Sequence, residues 1–206
     1  NVVGFDSLNE PHPGFIGRKN LGEFGGIGFG SLSAPTPFQE MYMSEGMSSD
    51  VYKKFMFGHL GIPFRKSTEN SKKISIWKEN YGCVWRKVGV WDMDPNGAPM
   101  LLKSDYFHKV NGRKVEFFND FMKPFIAKFK TSIQKSEKSF FIFIESDPSK
   151  LELNWNENEK AGYGSVVNAT HWYNPVLLFT KKYFDWFGVH TFKQKLVIGN
   201  ENTKRV

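Results

Sequence analysis

Cysteine is almost missing from this 206-residue chain. Its single representative, Cys83, excludes an internal disulfide framework and any zinc site built on cysteine ligands. Long apolar runs are missing as well. The longest, Phe140 to Ile144, spans five residues, against about twenty for a helix that crosses a bilayer, so no transmembrane segment is expected. His12, His59, His108 and His190 lack i, i+4 or His-x-His spacing with acidic partners, and no metal site or other cofactor is expected. Neither a methionine nor a leader precedes the first residues, which already read as a strand; the chain is therefore expected to be a piece of something larger.

What is present fits a folded protein. Hydrophobic residues make up 40% and charged residues 24%, which argues against wholesale disorder. The net charge of +7 is spread unevenly. Residues 1–50 hold Arg18 and Lys19 against Asp6, Glu10, Glu23, Glu40, Glu45 and Asp50, whereas residues 51–150 are strongly basic. The basic residues come as scattered doublets (Lys53/Lys54, Arg65/Lys66, Lys72/Lys73) without a recognition motif or interleaved stacking aromatics. That pattern speaks for solvated side chains and against a nucleic-acid partner. Attraction to an anionic membrane surface is a second use for such charge.

Val2 to Leu8 is a short β-branched and aromatic run that stops at Pro11, the signature of a strand ending in a loop. Residues 14–50 are rich in glycine and proline, and residues 51–112 show no clean periodicity; together they read as a long loop-like insertion with short elements, 14–112. Phe117, Phe121, Phe125, Phe129 and Ile133 then recur every four residues beside Phe118, Met122 and Ile126, which predicts one apolar helical stripe. Pro124 is expected to kink this helix or to sit in its first turn. Phe140 to Ile144 reads as a strand covered on both faces, Ser165 to His171 as another strand, and Leu177 to Phe187 as a helix. Two smaller motifs carry less. Gly26-Ile27-Gly28-Phe29-Gly30 lacks the strand, helix and Lys-Ser/Thr ending of a phosphate loop and reads as flexible insertion. Asp92 to Gly97, interrupted by Pro95, reads as a plain turn and not a calcium loop.

Strands separated by helical stretches predict parallel βαβ units, hence an α/β fold. Polar residues gather where each strand ends: Asn9-Glu10, Glu145, and His171 to Tyr173. In a β/α barrel that rim is where active sites are built, and a closed barrel takes eight strands and about 250 residues. Three strands therefore predict a partial (β/α)8 TIM barrel with a long insertion after its first strand. An open piece of that kind would expose strand edges, so poor solubility in isolation is expected.

Leu8-Asn9-Glu10-Pro11-His12 at a strand end is the most informative stretch. At this point the chain resembles the glycoside hydrolases of family 5, within the cellulase-like barrel clan. Gly4 to Gly14 looks like that family's fourth strand, and Ala169-Thr170-His171-Trp172-Tyr173 is similar to its sixth. The long insertion, Trp85 to Asp92 and Phe141 to Glu145 look closest to the fungal β-glucosidases that cleave glucosylceramide and sterylglucosides, relatives of endoglycoceramidases.

The resemblance implies roles residue by residue. Glu10 matches the general acid/base of a retaining mechanism, a role that calls for a raised pKa. Asn9 matches the residue that hydrogen-bonds the sugar 2-hydroxyl. His171 and Tyr173 match groups that line the subsite and orient the carboxylates. The nucleophile, about 5–5.5 Å from the acid/base, is expected beyond Val206, which would leave this chain by itself inactive. Glu145 is read as a substrate contact or a structural partner. Trp85 and Trp91 are candidates for a wall around the aglycone, and Trp172 for the substrate cleft. The implied substrate is a glucoside, with a sterol or ceramide aglycone met at a membrane surface; a polysaccharide-cleaving relative and a non-catalytic binding protein are the alternatives.

Overall fold

The computed structural model describes residues 2–25, 28–58, 60–146, 164–171, 173–190 and 195–199. In chain order the strands are β1 (Gly4–Asp6), β2 (Gly28–Ser33), β3 (Ser49–Gly58), β4 (Leu60–Glu69), β5 (Trp91–Met93), β6 (Pro99–Leu101), β7 (Lys109–Val110), β8 (Arg113–Lys114), β9 (Phe141–Ile144), β10 (Val166–Asn168), β11 (Phe187–His190) and β12 (Lys195–Ile198). The α-helices are α1 (Pro37–Ser44), α2 (Val84–Lys87), α3 (Lys123–Gln134) and α4 (Pro175–Thr180). No helix among the described residues is long and apolar enough to cross a membrane. The chain divides into two compact units, Asn1–Gly14 with Glu116–Val206, and Phe15–Val115.

The first unit carries a three-stranded sheet in the order β1-β9-β10. Both outer strands run parallel to β9, with Phe5 opposite Ile142 and Val167 opposite Phe143. The three segments read as strands are strands, and the parallel α/β reading is right. β9 sits in the middle because Phe140 to Ile144 is apolar on both faces. Ile142 and Ile144 are buried against Met122 and Ile126 of the helical segment, with Phe117, Phe118, Phe129, Ile133 and Val166 closing over them. Gln134 ties the end of α3 to the sheet, donating to the Phe140 carbonyl (3.1 Å) and the Ser165 hydroxyl (2.7 Å).

The apolar stripe of α3 differs from the expectation in its register. Phe121 and Phe125 remain partly exposed, and Phe125 stacks on Phe129. A row taken every four residues drifts around a helix of 3.6 residues per turn, so only part of it can face one sheet. Residues Phe118–Met122 form a π-helical turn, and α3 starts with Pro124 in its first turn, where the missing N–H costs nothing. Near the other end, helix α4 spans Pro175–Thr180, starting two residues before the expected 177–187 helix and covering only its first four residues, and Phe187–His190 pairs antiparallel with β12. Asn174 caps α4 through the Leu177 N–H, and Lys181 ends it in the left-handed region.

The second unit corrects the loop reading of residues 14–112. Strands β3 and β4 are ten residues each and form, with β2, an antiparallel sheet interrupted by one register shift between Lys53 and Lys54. Gly28–Gly30 belongs to β2 and pairs with β3, so that part of the glycine-rich stretch is strand and not flexible insertion. A separate core gathers Leu21, Met41, Tyr42, Cys83, Val90 and Trp91. Helix α1 is fixed at its start by a capping box, in which the Gln39 N–H donates to the Thr36 hydroxyl and the Gln39 side chain accepts from the Thr36 N–H. The Asp92 to Gly97 segment is a turn: Asp94 accepts from the Asn96 and Ala98 N–H groups and joins β5 to β6. Periodicity failed here because β3 and β4 mix lysine, arginine and aromatics on a sheet without strict alternation.

Candidate active site

The site is assembled where the three parallel strands end. Beyond β1 the Ser7 N–H still donates to the Phe143 carbonyl (3.0 Å), so the chain leaves the sheet only after that point. Glu10 then adopts a left-handed backbone, φ 42°, and buried Pro11 follows it. A left-handed glutamate persists only where its surroundings hold it. Here the hold is visible: the Glu10 N–H donates to Glu145 Oε2 at 2.6 Å.

The Glu10 carboxylate meets two groups from the segment after β10. His171 Nδ1 lies 2.9 Å from Oε1, and the Tyr173 hydroxyl donates to the same oxygen. His171 Nδ1 and the Tyr173 hydroxyl are 3.1 Å apart, so the three groups form one cluster. The other ring nitrogen, Nε2, is 3.3 Å from Glu145 Oε1. His171 therefore lies between two carboxylates, and the doubly protonated ring satisfies both as a donor.

These contacts shift the proton affinities of all three groups. Hydrogen bonds donated by Tyr173 and then His171 hold the Glu10 carboxyl below the usual range, outweighing desolvation. The hydrogen bond to Glu10, with the charges of Glu145, Glu10 and Asp6, raises His171 above the ordinary imidazole value. Tyr173 is pushed up by the same Glu10 bond. This direction is the reverse of the raised pKa expected for Glu10.

Glu145 is 1% exposed and uses one oxygen on the Glu10 N–H and the other on His171. Of the two readings given to it, substrate contact and structural partner, this burial and pairing favour the second. Asn9 is exposed at the strand end beside Glu10. Trp172 lies outside the described residues. In the second unit Trp91 is fully buried against Phe38 and Tyr42, which overturns its reading as an aglycone wall, since no face of its ring is open to a ligand. Trp85 lies half-buried on that core, edge-on to Phe15 and Trp77.

Sequence reasoning missed the residues that lock the strand-end turns together. Asn168 accepts from the Thr170 N–H (3.0 Å) and hydroxyl (2.6 Å), and Thr170 Oγ1 in turn accepts the Ser146 N–H (3.1 Å). The Asn-x-Thr spacing, typical of a side-chain-closed turn, was the available signal.

A carboxylate stands at the C-terminal edge of a parallel sheet on an α/β scaffold, with a histidine and a phenol bonded to it, and such groups are able to exchange a proton. No protein-family model matches the chain. It is similar to a glucosylceramidase of Rhizopus delemar, 34% identical over 192 residues that cover 88% of this chain and 27% of that protein. It is similar too to the ergosteryl-beta-glucosidase of Saccharomyces cerevisiae, 25% identical over 93% of the chain and 27% of the relative. Its fold is that of part of Cryptococcus neoformans sterylglucosidase 1, with a TM-score of 0.81 at 23% identity, covering 99% of this chain and 32% of that one. The chain thus spans about a quarter of the length of the curated relatives it matches.

Proposed function

We propose that the chain carries the acid/base half of a retaining β-glucosidase acting on glucosides of a lipid alcohol, on a partial (β/α)8 barrel with residues 14–112 as an insertion after its first strand. The observation that carries this reading is the Glu10 carboxylate at the strand end, bonded by His171 and Tyr173. The lipid aglycone rests on the names of the relatives, glucosylceramidase and ergosteryl-beta-glucosidase. Glu10 protonates the departing glycosidic oxygen and then takes a proton from water, while Asn9 bonds the sugar 2-hydroxyl.

Glu145 does not serve as nucleophile, because both its oxygens are engaged and it is buried. The nucleophile comes from outside the described residues. Its arrival about 5–5.5 Å from Glu10 raises the Glu10 pKa by like-charge repulsion, and it competes for the Tyr173 hydroxyl. Both effects favour the protonated Glu10 that the first step requires. Contact with a membrane surface is supported by the hairpin β3–β4, which exposes Tyr52, Ile62 and Phe64 close to Arg65 and Lys66.

The test is hydrolysis of an aryl β-glucoside, a steryl glucoside and glucosylceramide. It compares the 206 residues alone with a longer form of the protein. Activity confined to the longer form, and lowered about 10²–10⁴-fold by Glu10→Gln, is the expected result. Turnover by the isolated chain would place the nucleophile within it, and a fully active Glu10→Gln protein would remove the assignment altogether.

A further inference from the structure

Glu145 is the most deeply buried carboxylate among the described residues of the unit that holds the site, and proton transfer as described above does not use it. A carboxylate out of water is costly unless it is charge-paired and hydrogen-bonded. Its position is explained by alternation along β9. Ile142 and Ile144 turn toward α3, so residue 145 continues the opposite face, toward the ends of β1 and β10. There its two oxygens diverge, one to the Glu10 N–H at 2.6 Å and the other to His171 Nε2 at 3.3 Å. The His171 ring returns to the Glu10 side chain through Nδ1 at 2.9 Å. The result is a closed loop in which one buried side chain touches both the backbone of Glu10 and the group bonded to its carboxylate.

We propose that Glu145 is a positioning residue for Glu10: one oxygen fixes the left-handed backbone that aims the Glu10 carboxylate, and the other holds the His171 ring in place against it. Its bearing on turnover rests on the glucosidase reading, whereas the loop itself does not. Among the described residues, the charged groups around the His171 ring are Glu10 and Asp6 from the β1 segment and Glu145 from the end of β9, with the Tyr173 hydroxyl bonded beside them. Of these Glu145 is the one shielded from solvent, so its charge acts on the ring with little screening.

The experiment titrates His171 by NMR in 15N-histidine-labelled protein, with its signal assigned by loss in His171→Asn, and measures kcat and KM on an aryl β-glucoside in the longer form. In Glu145→Gln the His171 pKa is expected to fall by about one unit or more. The same variant is expected to lose about 10²-fold in kcat, with KM changed less than about threefold, because the carboxylate of Glu10 is displaced and not removed. Glu145→Asp keeps the charge one methylene further back. It should hold the His171 titration near its original value and recover part of kcat. A Glu145→Gln protein that folds with the His171 titration unmoved overturns the proposal. If that variant does not fold, Glu145→Asp decides: the original kcat in that variant overturns the proposal, and a reduced kcat supports it. A shifted His171 in a protein whose parent hydrolyses no glucoside sustains the positioning loop and refutes the glucosidase reading instead.

Discussion

Gly4 is the position at which a single methyl group should separate the strand that carries Glu10 from the rest of its sheet. A Cβ built there lies 2.1 Å from the Phe141 carbonyl oxygen, 2.8 Å from its carbon and 3.0 Å from its Cβ. Two of these atoms are backbone, so no side chain can swing away, and the strands must part by roughly 1 Å to restore van der Waals contact. Parallel strands are held at about 4.8 Å by their hydrogen bonds, and the Phe141 N–H to Val3 carbonyl bond (3.0 Å) lies beside the clash. Loss of two to three such bonds costs roughly 1–4 kcal/mol, against at most about 1 kcal/mol gained by Ala over Gly in a strand. Gly4→Ala is therefore expected to destabilise the unit by about 2 kcal/mol, which lowers a urea midpoint by about 1 M for an m-value near 2 kcal/mol/M. The matched control is Gly164→Ala, where the added Cβ meets nothing within 4 Å. A Gly4→Ala midpoint indistinguishable from that of Gly164→Ala would refute the close approach of β1 to β9 and with it the mounting of Glu10.

Stability of the cluster should depend on pH with two limbs. Glu10 is lowered from 4.5, so its contribution is present above that value and is lost as pH falls through the lower folded pKa. His171 is raised from 6.5, so its contribution is complete below 6.5 and is lost as pH rises through the higher folded pKa. Urea midpoints measured across pH should be greatest between those ordinary values, and His171→Asn should flatten the alkaline limb; an alkaline limb unchanged in that variant would count against the ion pairs. In the second unit Trp91→Ala should cost about 3–5 kcal/mol and open buried Cys83, which shares its core, to a thiol reagent under native conditions. A Trp91→Ala protein with Cys83 still protected would return that tryptophan to a surface role.

The parallel sheet was legible because each strand carries its own signal: the apolar run of β9 marks the central position, and Pro11 marks the end of the β1 segment. Glu10, His171 and Tyr173 were legible for a related reason, since strand ends at one edge bring distant residues together. What the sequence concealed depends on contacts between segments. Nothing local distinguishes Glu145 exposed at a rim from Glu145 buried beneath it; the difference is made by the Glu10 N–H, 135 residues away in the chain. Trp91 misled for the opposite reason. It lies in a polar, turn-rich stretch that looks superficial, yet Phe38 and Tyr42 from α1 enclose it. The direction of the Glu10 shift was hidden too, because the expected role suggests a raised pKa and the donors facing the carboxyl group lower it.

That inversion has a structural logic. In the acid/base role proposed for it, Glu10 works in both protonation states, so its surroundings must be adjustable between the two steps. The backbone of Glu10 is held by a buried carboxylate and a sheet, neither of which changes with the proton. Its side chain is held by a phenol and an imidazole that are both partly exposed and both able to exchange partners. On the proposed reading, position and charge are controlled by different groups: Glu145 and the strand hold the carboxylate in place, and Tyr173 with His171 shift how readily it takes a proton. A nucleophile that drew the Tyr173 hydroxyl toward itself would raise the Glu10 pKa without moving Glu10, because the main cause of the lowering would have left while the mount stayed.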